Sequence, residues 1–215
     1  AAIKGNKAAE KYSPEANSED IMKVMQAVAD WQINNFRSVS HHELDWTNGA
    51  LYAGMMELAR ISTDTKYMDW LYKIGKNNSW QPGKRMYHAD DLTVCQMYLE
   101  MYRKKEADDD SYLIVAPSQA RLDYVISHPS SGSLLIDYRD VQTTERWSWC
   151  DALFMAPPVY AKLSSITGNN KYLEFMDKEF KATCEFLYDT DEHLFYRDHR
   201  YFPEKVLEAN GRKVF

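Results

Sequence analysis

Apolar positions recur at helical spacing along nearly the whole chain. Over 19–36, Ile21, Val24, Met25, Val28 and Trp31 share one stripe, with Ser18 as a fitting cap ahead of Glu19 and Asp20. Leu51, Met55, Leu58 and Ala59 predict a second helix over 47–61. After Ser62-Thr63-Asp64, a third follows on Tyr67, Trp70, Leu71 and Ile74 and ends near Asn77-Asn78. A fourth is expected over about 88–103, on Leu92, Cys95, Leu99 and Tyr102, and a fifth over about 117–127. His128 to Thr144 is polar and reads as a long loop with a short extended piece at 134–138; loops of that length often carry function. Helices six and seven follow at about 151–165 and 169–187, then a short strand at Leu194-Phe195-Tyr196, while the last dozen residues show no clear element.

The pattern also repeats. Leu58 to Tyr67 and Leu163 to Tyr172 match in phase, each running from a helix end through a polar turn to a Lys-Tyr that opens the next helix. Leu99-Glu100-Met101-Tyr102, with the acidic turn to Asp110-Ser111-Tyr112, is a looser third copy. A single helical hairpin cannot bury its own apolar face, so such repeats predict stacked hairpins, in an open solenoid or a closed ring. The fold class is therefore all-α.

Composition narrows the partners. Over 215 residues, 45% hydrophobic and 27% charged is globular rather than disordered. With 26 Lys+Arg against 32 Asp+Glu the formal charge is -6, and no window is densely basic, so nucleic acid is excluded as the expected partner. No stretch approaches the ~20 apolar residues that span a bilayer, so no membrane association is expected. The start, Ala-Ala-Ile-Lys-Gly, has neither an initiator Met nor an apolar signal core, which reads as a processed N-terminus and fits a periplasmic or secreted protein, with the cytoplasm as the alternative. Cys95, Cys150 and Cys184 form no C-x-x-C pair and are expected to pack as small hydrophobes. Aromatic residues reach 13%, suited both to a core and to platforms for sugar rings.

The candidate chemistry is carboxylate chemistry. In the run from Trp147 to Pro158, Asp151 stands directly before Ala152-Leu153-Phe154-Met155-Ala156. An acid there is either a helix cap or a desolvated carboxyl whose pKa is raised. Asp90 and Asp91, in His88-Ala89-Asp90-Asp91-Leu92, either answer a helix N-terminus or supply the second member of an acid pair. Trp46, Trp147 and Trp149 lie beside these acids, either as core or as sugar platforms. The histidines, among them the His41-His42 pair on a polar turn, show no metal-ligand spacing. No P-loop, dinucleotide turn or nucleophile elbow is present, so no metal and no cofactor are expected.

In order, Trp46-Thr47-Asn48-Gly49 with Gly54, His88-Ala89-Asp90-Asp91-Leu92 leading to Leu99-Glu100-Met101-Tyr102, and Trp149-Cys150-Asp151-Ala152-Leu153-Phe154-Met155-Ala156-Pro157-Pro158 resemble the motifs of the unsaturated rhamnogalacturonyl hydrolases, glycoside hydrolase family 105. The last block is specific; the others alone are weak. The resemblance runs from about residue 19 to the end and implies an (α/α)6 barrel of six helical hairpins, with 1–18 as an N-terminal extension. The implied substrate is an oligosaccharide left by a polysaccharide lyase, with a C4=C5 unsaturated uronic acid at its non-reducing end. Pectin fragments head that class; unsaturated glucuronyl sugars from ulvan, arabinogalactan or glycosaminoglycans are the alternative, and a non-catalytic carbohydrate-binding module is a reading of a different class. The implied reaction is protonation of the C4=C5 vinyl ether, addition of water at C5, and rearrangement that releases the sugar. Asp151 matches the family's general acid/base; the second Asp falls on Asp90 or Asp91, with Asp90 preferred. Trp46, Trp149, His88, Tyr196 and Arg197 fall at substrate-binding positions.

Two departures from the family pattern matter. Leu194-Phe195-Tyr196-Arg197 stands where many members have Tyr-His-Gly, so Arg197 replaces an expected His and bears on aglycone preference. The family also continues into a W-x-R-G-N-G-W segment whose Arg grips the uronate, and this chain ends at Val214-Phe215 ahead of it. Twelve helices with their connections need roughly 230 residues, and the pattern yields about seven. An incomplete barrel, the N-terminal portion of a longer hydrolase, is expected.

Overall fold

A computed structural model describes residues 13–39, 41–104, 111–206 and 211–215. Most of the stretch read as an N-terminal extension, and the acidic turn of the third hairpin copy, lie outside the described residues.

The described residues form α1 (Ser18–Val39), α2 (Trp46–Ile61), α3 (Lys66–Asn77), α4 (Cys95–Lys104), α5 (Tyr112–Ser127), the single turn α6 (Ala152–Met155), α7 (Pro157–Thr167) and α8 (Lys171–Leu187). A two-stranded antiparallel hairpin follows, β1 (Tyr188–Asp189) and β2 (Leu194–Phe195), with Tyr188 opposite Phe195. Helices α2/α3, α4/α5 and α7/α8 pack as three hairpins, and α4 lies between α2 and α7. Cys95, Gln96, Met97, Tyr98 and Leu99 are all buried, as a helix with neighbours on every side requires. Around α4 the core gathers Tyr52, Met55 and Met56 of α2 and Val159, Tyr160 and Leu163 of α7.

The repeated Lys-Tyr has a structural meaning. Lys66 and Tyr67 open α3 and both bind Asp30 on the preceding helix α1, at 2.9 and 3.1 Å. Lys171 and Tyr172 open α8 and both bind Asp123 on α5, at 2.8 and 2.6 Å. In each case a short polar turn lets one hairpin lock its second helix to the outer helix before it.

Four elements differ from the sequence pattern. The helix expected over 88–103 is two pieces, a 3₁₀ turn at Ala89–Leu92 and then α4, because the Asp91 carbonyl accepts the Gly83 N–H at 2.8 Å. The helix expected over 151–165 breaks at Ala156: Pro157 and Pro158 have no N–H to continue the ladder of α6. Helix α5 begins five residues before the expected start and carries Pro117 inside it. The stretch 134–138 forms no strand. On α1, Ala29 and Phe36 enter the core while Ile21, Val24, Met25, Val28 and Trp31 stay exposed.

Candidate active site

The break that ends α6 brings two acidic turns together. Pro158 cannot donate to the Phe154 carbonyl, and the Gln96 amide of α4 takes its place, donating to Phe154 O at 2.7 Å and Met155 O at 3.1 Å. The Thr93 hydroxyl lies 3.0 Å from Met155 Sδ. The segment carrying Asp90 and Asp91 is thereby fixed against the turn that starts at Asp151.

Behind Asp151 the chain is equally constrained. The Thr183 hydroxyl donates to Trp147 O at 2.7 Å and the Ser148 hydroxyl to Thr143 O at 3.0 Å. The Cys150 N–H donates to Arg197 O at 2.9 Å, which draws Arg197 to the same end of the helices. Asp151 precedes α6 with φ −70° and ψ −18°, and its side chain makes no capping hydrogen bond. The carboxyl lines a cavity.

That cavity, about 390 Å³, is lined by Trp46, Arg85, His88, Asp90, Tyr138, Thr144, Trp149, Asp151 and Arg197. Its size suits a sugar unit. Trp46 is the first residue of α2, whose N-cap Asp45 accepts the Thr47 N–H at 2.9 Å; the indole stays partly exposed. The Trp149 and His88 rings lie 5.5 Å apart with a 34° tilt. Burial, then the nearby Arg85 charge, holds the His88 imidazole down at about 4, so it is neutral at pH 7. Its Nδ1 accepts the Asp90 N–H at 3.4 Å, leaving Nε2–H as the ring donor.

Both acids in the cavity are held above the usual carboxylate range. Burial raises Asp90 against the opposing pull of Arg85, and the surrounding protein together with the Asp90 charge raises Asp151. Two carboxyls so raised on one cavity are the kind of group that general acid/base chemistry near neutral pH uses.

The structure separates two of the expected site residues from the cavity lining. The Asp91 side chain is buried and points at Arg85, accepting its backbone N–H at 2.5 Å, Nε–H at 3.0 Å and an NH2 hydrogen at 2.6 Å. Glycine is required opposite it, since a Cβ on Gly83 would sit 2.5 Å from the Asp91 Cγ. Tyr196 is also buried; its hydroxyl donates to Asp189 at 2.5 Å and its ring stacks on Phe215, because it alternates inward from β2 while Arg197 turns outward. Arg85, Tyr138 and Thr144 line the cavity and were not singled out by the sequence. Tyr138 and Thr144 lie in the long polar loop; the signal for Arg85 was a basic pair, Lys84-Arg85, just ahead of an acid pair.

Among the described residues no three His, Cys, Asp or Glu side chains gather as a metal site, and no helix is long and apolar enough to cross a membrane.

The family model described as Glycosyl Hydrolase Family 88 matches residues 24–215. The chain belongs to glycosyl hydrolase family 88. A protein of Formosa agariphila named unsaturated 3S-rhamnoglycuronyl hydrolase is 34% identical over 175 residues, 80% of this chain and 46% of that protein. A protein of the same name from Alteromonas sp. strain LOR is 28% identical over 227 residues, 96% of this chain and 54% of that protein. The chain thus spans about half the length of the curated relatives it matches. Among solved structures, one described as a polysaccharide lyase aligns with a TM-score of 0.76 at 25% identity, over 92% of this chain and 55% of its own. A family 88 glycosyl hydrolase from Bacteroides vulgatus aligns at 0.68 and 23%, over 90% and 56%. The hairpins are therefore those of a six-hairpin helical barrel, here incomplete, and the family resemblance carried by the Asp90 and Asp151 blocks holds.

Proposed function

We propose that this chain carries the acid pair of an unsaturated uronyl hydrolase. The observation that carries the reading is that Asp90 and Asp151, both raised above the usual carboxylate range, face one sugar-sized cavity between Trp46 and Trp149. The names of the two relatives favour a rhamnose-linked uronyl unit as the substrate, which covers both the rhamnogalacturonyl and the rhamnoglycuronyl forms.

In this reading protonated Asp151 delivers its proton to C4 of the C4=C5 enol ether, and positive charge develops at C5 and the ring oxygen. Water adds at C5 and gives a proton back to the Asp151 carboxylate, which restores the acid. The resulting hemiketal opens by cleavage of C5–O5 to a ketone, and the hemiacetal left at C1 releases the neighbouring sugar as an alcohol. Asp90 stabilises the developing cation, Trp46 and Trp149 flank the ring, His88 Nε2–H is a hydroxyl partner, and Arg197 on the rim meets the aglycone.

The test uses the protein in the full length its gene encodes, with lyase-generated oligosaccharides. Ultraviolet absorbance of the double bond and release of the aglycone sugar should change in step. Release of the sugar with the double bond intact would reject hydration in favour of ordinary glycosidic displacement.

A further inference from the structure

Two carboxyls that share one cavity need something to decide which of them keeps the proton. The two differ in their charged contacts as well as in exposure, Asp151 being the more exposed. Asp90 Oδ2 lies 3.3 Å from the Arg85 guanidinium, whereas among the described residues no ion pair reaches Asp151. Arg197 acts on Asp151 only from a distance; its own fixed partner is the Tyr201 hydroxyl, at 3.1 Å.

Arg85 does not wander. Although its side chain is about half exposed, Asp91 grips it through the main chain and twice through the guanidinium. The Arg121 guanidinium donates to Arg85 O at 2.9 Å and Gly83 O at 2.7 Å, fixing the loop from the α5 side. A carboxylate with its fork committed to one arginine, and that arginine leaning on a second acid, fixes a charge in place rather than forming a surface pair.

We infer that Arg85, held by Asp91, is a positioning residue that keeps Asp90 the anion of the acid pair and leaves the proton on Asp151. The other charged and titratable groups facing the pair are Asp45 ahead of α2, Asp91, His88, Tyr138, Cys150 and Arg197. His88 is neutral near pH 7 and Asp45 and Asp91 are like charges that would push a proton onto Asp90, so Arg85 is the group in contact that opposes them. The inference takes its catalytic meaning from the proposed hydrolysis, but its test does not depend on turnover.

The test is a carboxyl NMR titration of the protein with 13C-labelled aspartate, assigned with Asp90→Asn and Asp151→Asn. In the unaltered protein Asp151 should titrate above Asp90. Arg85→Gln should move the Asp90 titration up by about one pH unit, whereas Arg85→Lys, which keeps the positive charge, should move it the same way by less. Asp90 titrating above Asp151 in the unaltered protein overturns the inference, and that comparison needs no variant to fold at Arg85. So does an Asp90 titration that stays in place in Arg85→Gln while its far-UV dichroism is unchanged. Hydrolysis is assayed separately: absent turnover with the titration order intact rejects the proposed reaction and not the role of Arg85.

Discussion

The backbone N–H of Cys150 donates to the carbonyl of Arg197 at 2.9 Å, joining residues 47 positions apart in the chain. One side of that bond carries Asp151, which lines the cavity; the other carries a guanidinium on its rim. The helical hairpins set the floor of the site, and this link adds a charged wall from the segment that follows β2.

Arg197→Ala should therefore act on substrate binding. The guanidinium is exposed and, apart from a 3.9 Å approach to Asp198, holds only the Tyr201 hydroxyl, so its removal should cost folding stability little. The expected effect is a rise in KM of roughly fivefold with kcat little altered. Steady-state kinetics on the full-length protein checks it; a fall in kcat with KM constant would move Arg197 into the chemical step.

Gln96→Leu removes the amide that satisfies the Phe154 and Met155 carbonyls left over by the proline break. The carbonyls would be stranded in a buried setting, at a cost of about 1–3 kcal/mol. Chemical denaturation should show that loss, and activity should fall beyond what stability explains because the Asp151 turn is no longer held against α4.

His88 makes stability depend on acid. Its folded pKa of about 4 lies below the unfolded value of about 6.5, so between those values the unfolded chain binds more protons than the folded one. Stability thus falls as pH drops from 6.5 to 4, by up to about 3 kcal/mol from this group. His88→Gln should flatten the fall in denaturation midpoints across that window; an equally steep fall in the variant would place the effect elsewhere.

Much of this was legible in the residues, for physical reasons that differ between elements. Helices α2, α3, α7 and α8 were readable because their apolar stripes meet neighbours, and the Lys-Tyr echo was readable because Asp30 and Asp123 each need both groups. The break at Ala156 was not, although Pro157 and Pro158 are plain in the sequence, because prolines also open helices and only Gln96 shows which. The stripe on α1 was legible as a helix but not as exposed, since periodicity shows a face and not what lies against it. For the acids, sequence left cap and cavity open at Asp151, and it could not divide Asp90 from Asp91. That division comes from the conformation of a six-residue loop that brings Arg85 back onto Asp91, which residue types alone do not specify.

Gly75 offers a check on the packing of the first hairpin. A Cβ there would lie 2.0 Å from the Trp80 ring, which is buried between Tyr72 and Tyr98. Gly75→Ala should cost about 1–3 kcal/mol, despite alanine's better helix propensity, and thermal unfolding would show a lower midpoint.

In the proposed reaction Asp151 is the proton donor and not a helix cap. The direct measurement follows the decay of double-bond absorbance on lyase-generated oligosaccharides with the full-length protein and its Asp151→Asn variant, alongside thermal unfolding of both. The variant should lose turnover by about a thousandfold or more, still bind the substrate, and unfold within about 0.5 kcal/mol of the parent. A variant that keeps turnover, and loses instead the ~1 kcal/mol of a cap, would contradict it.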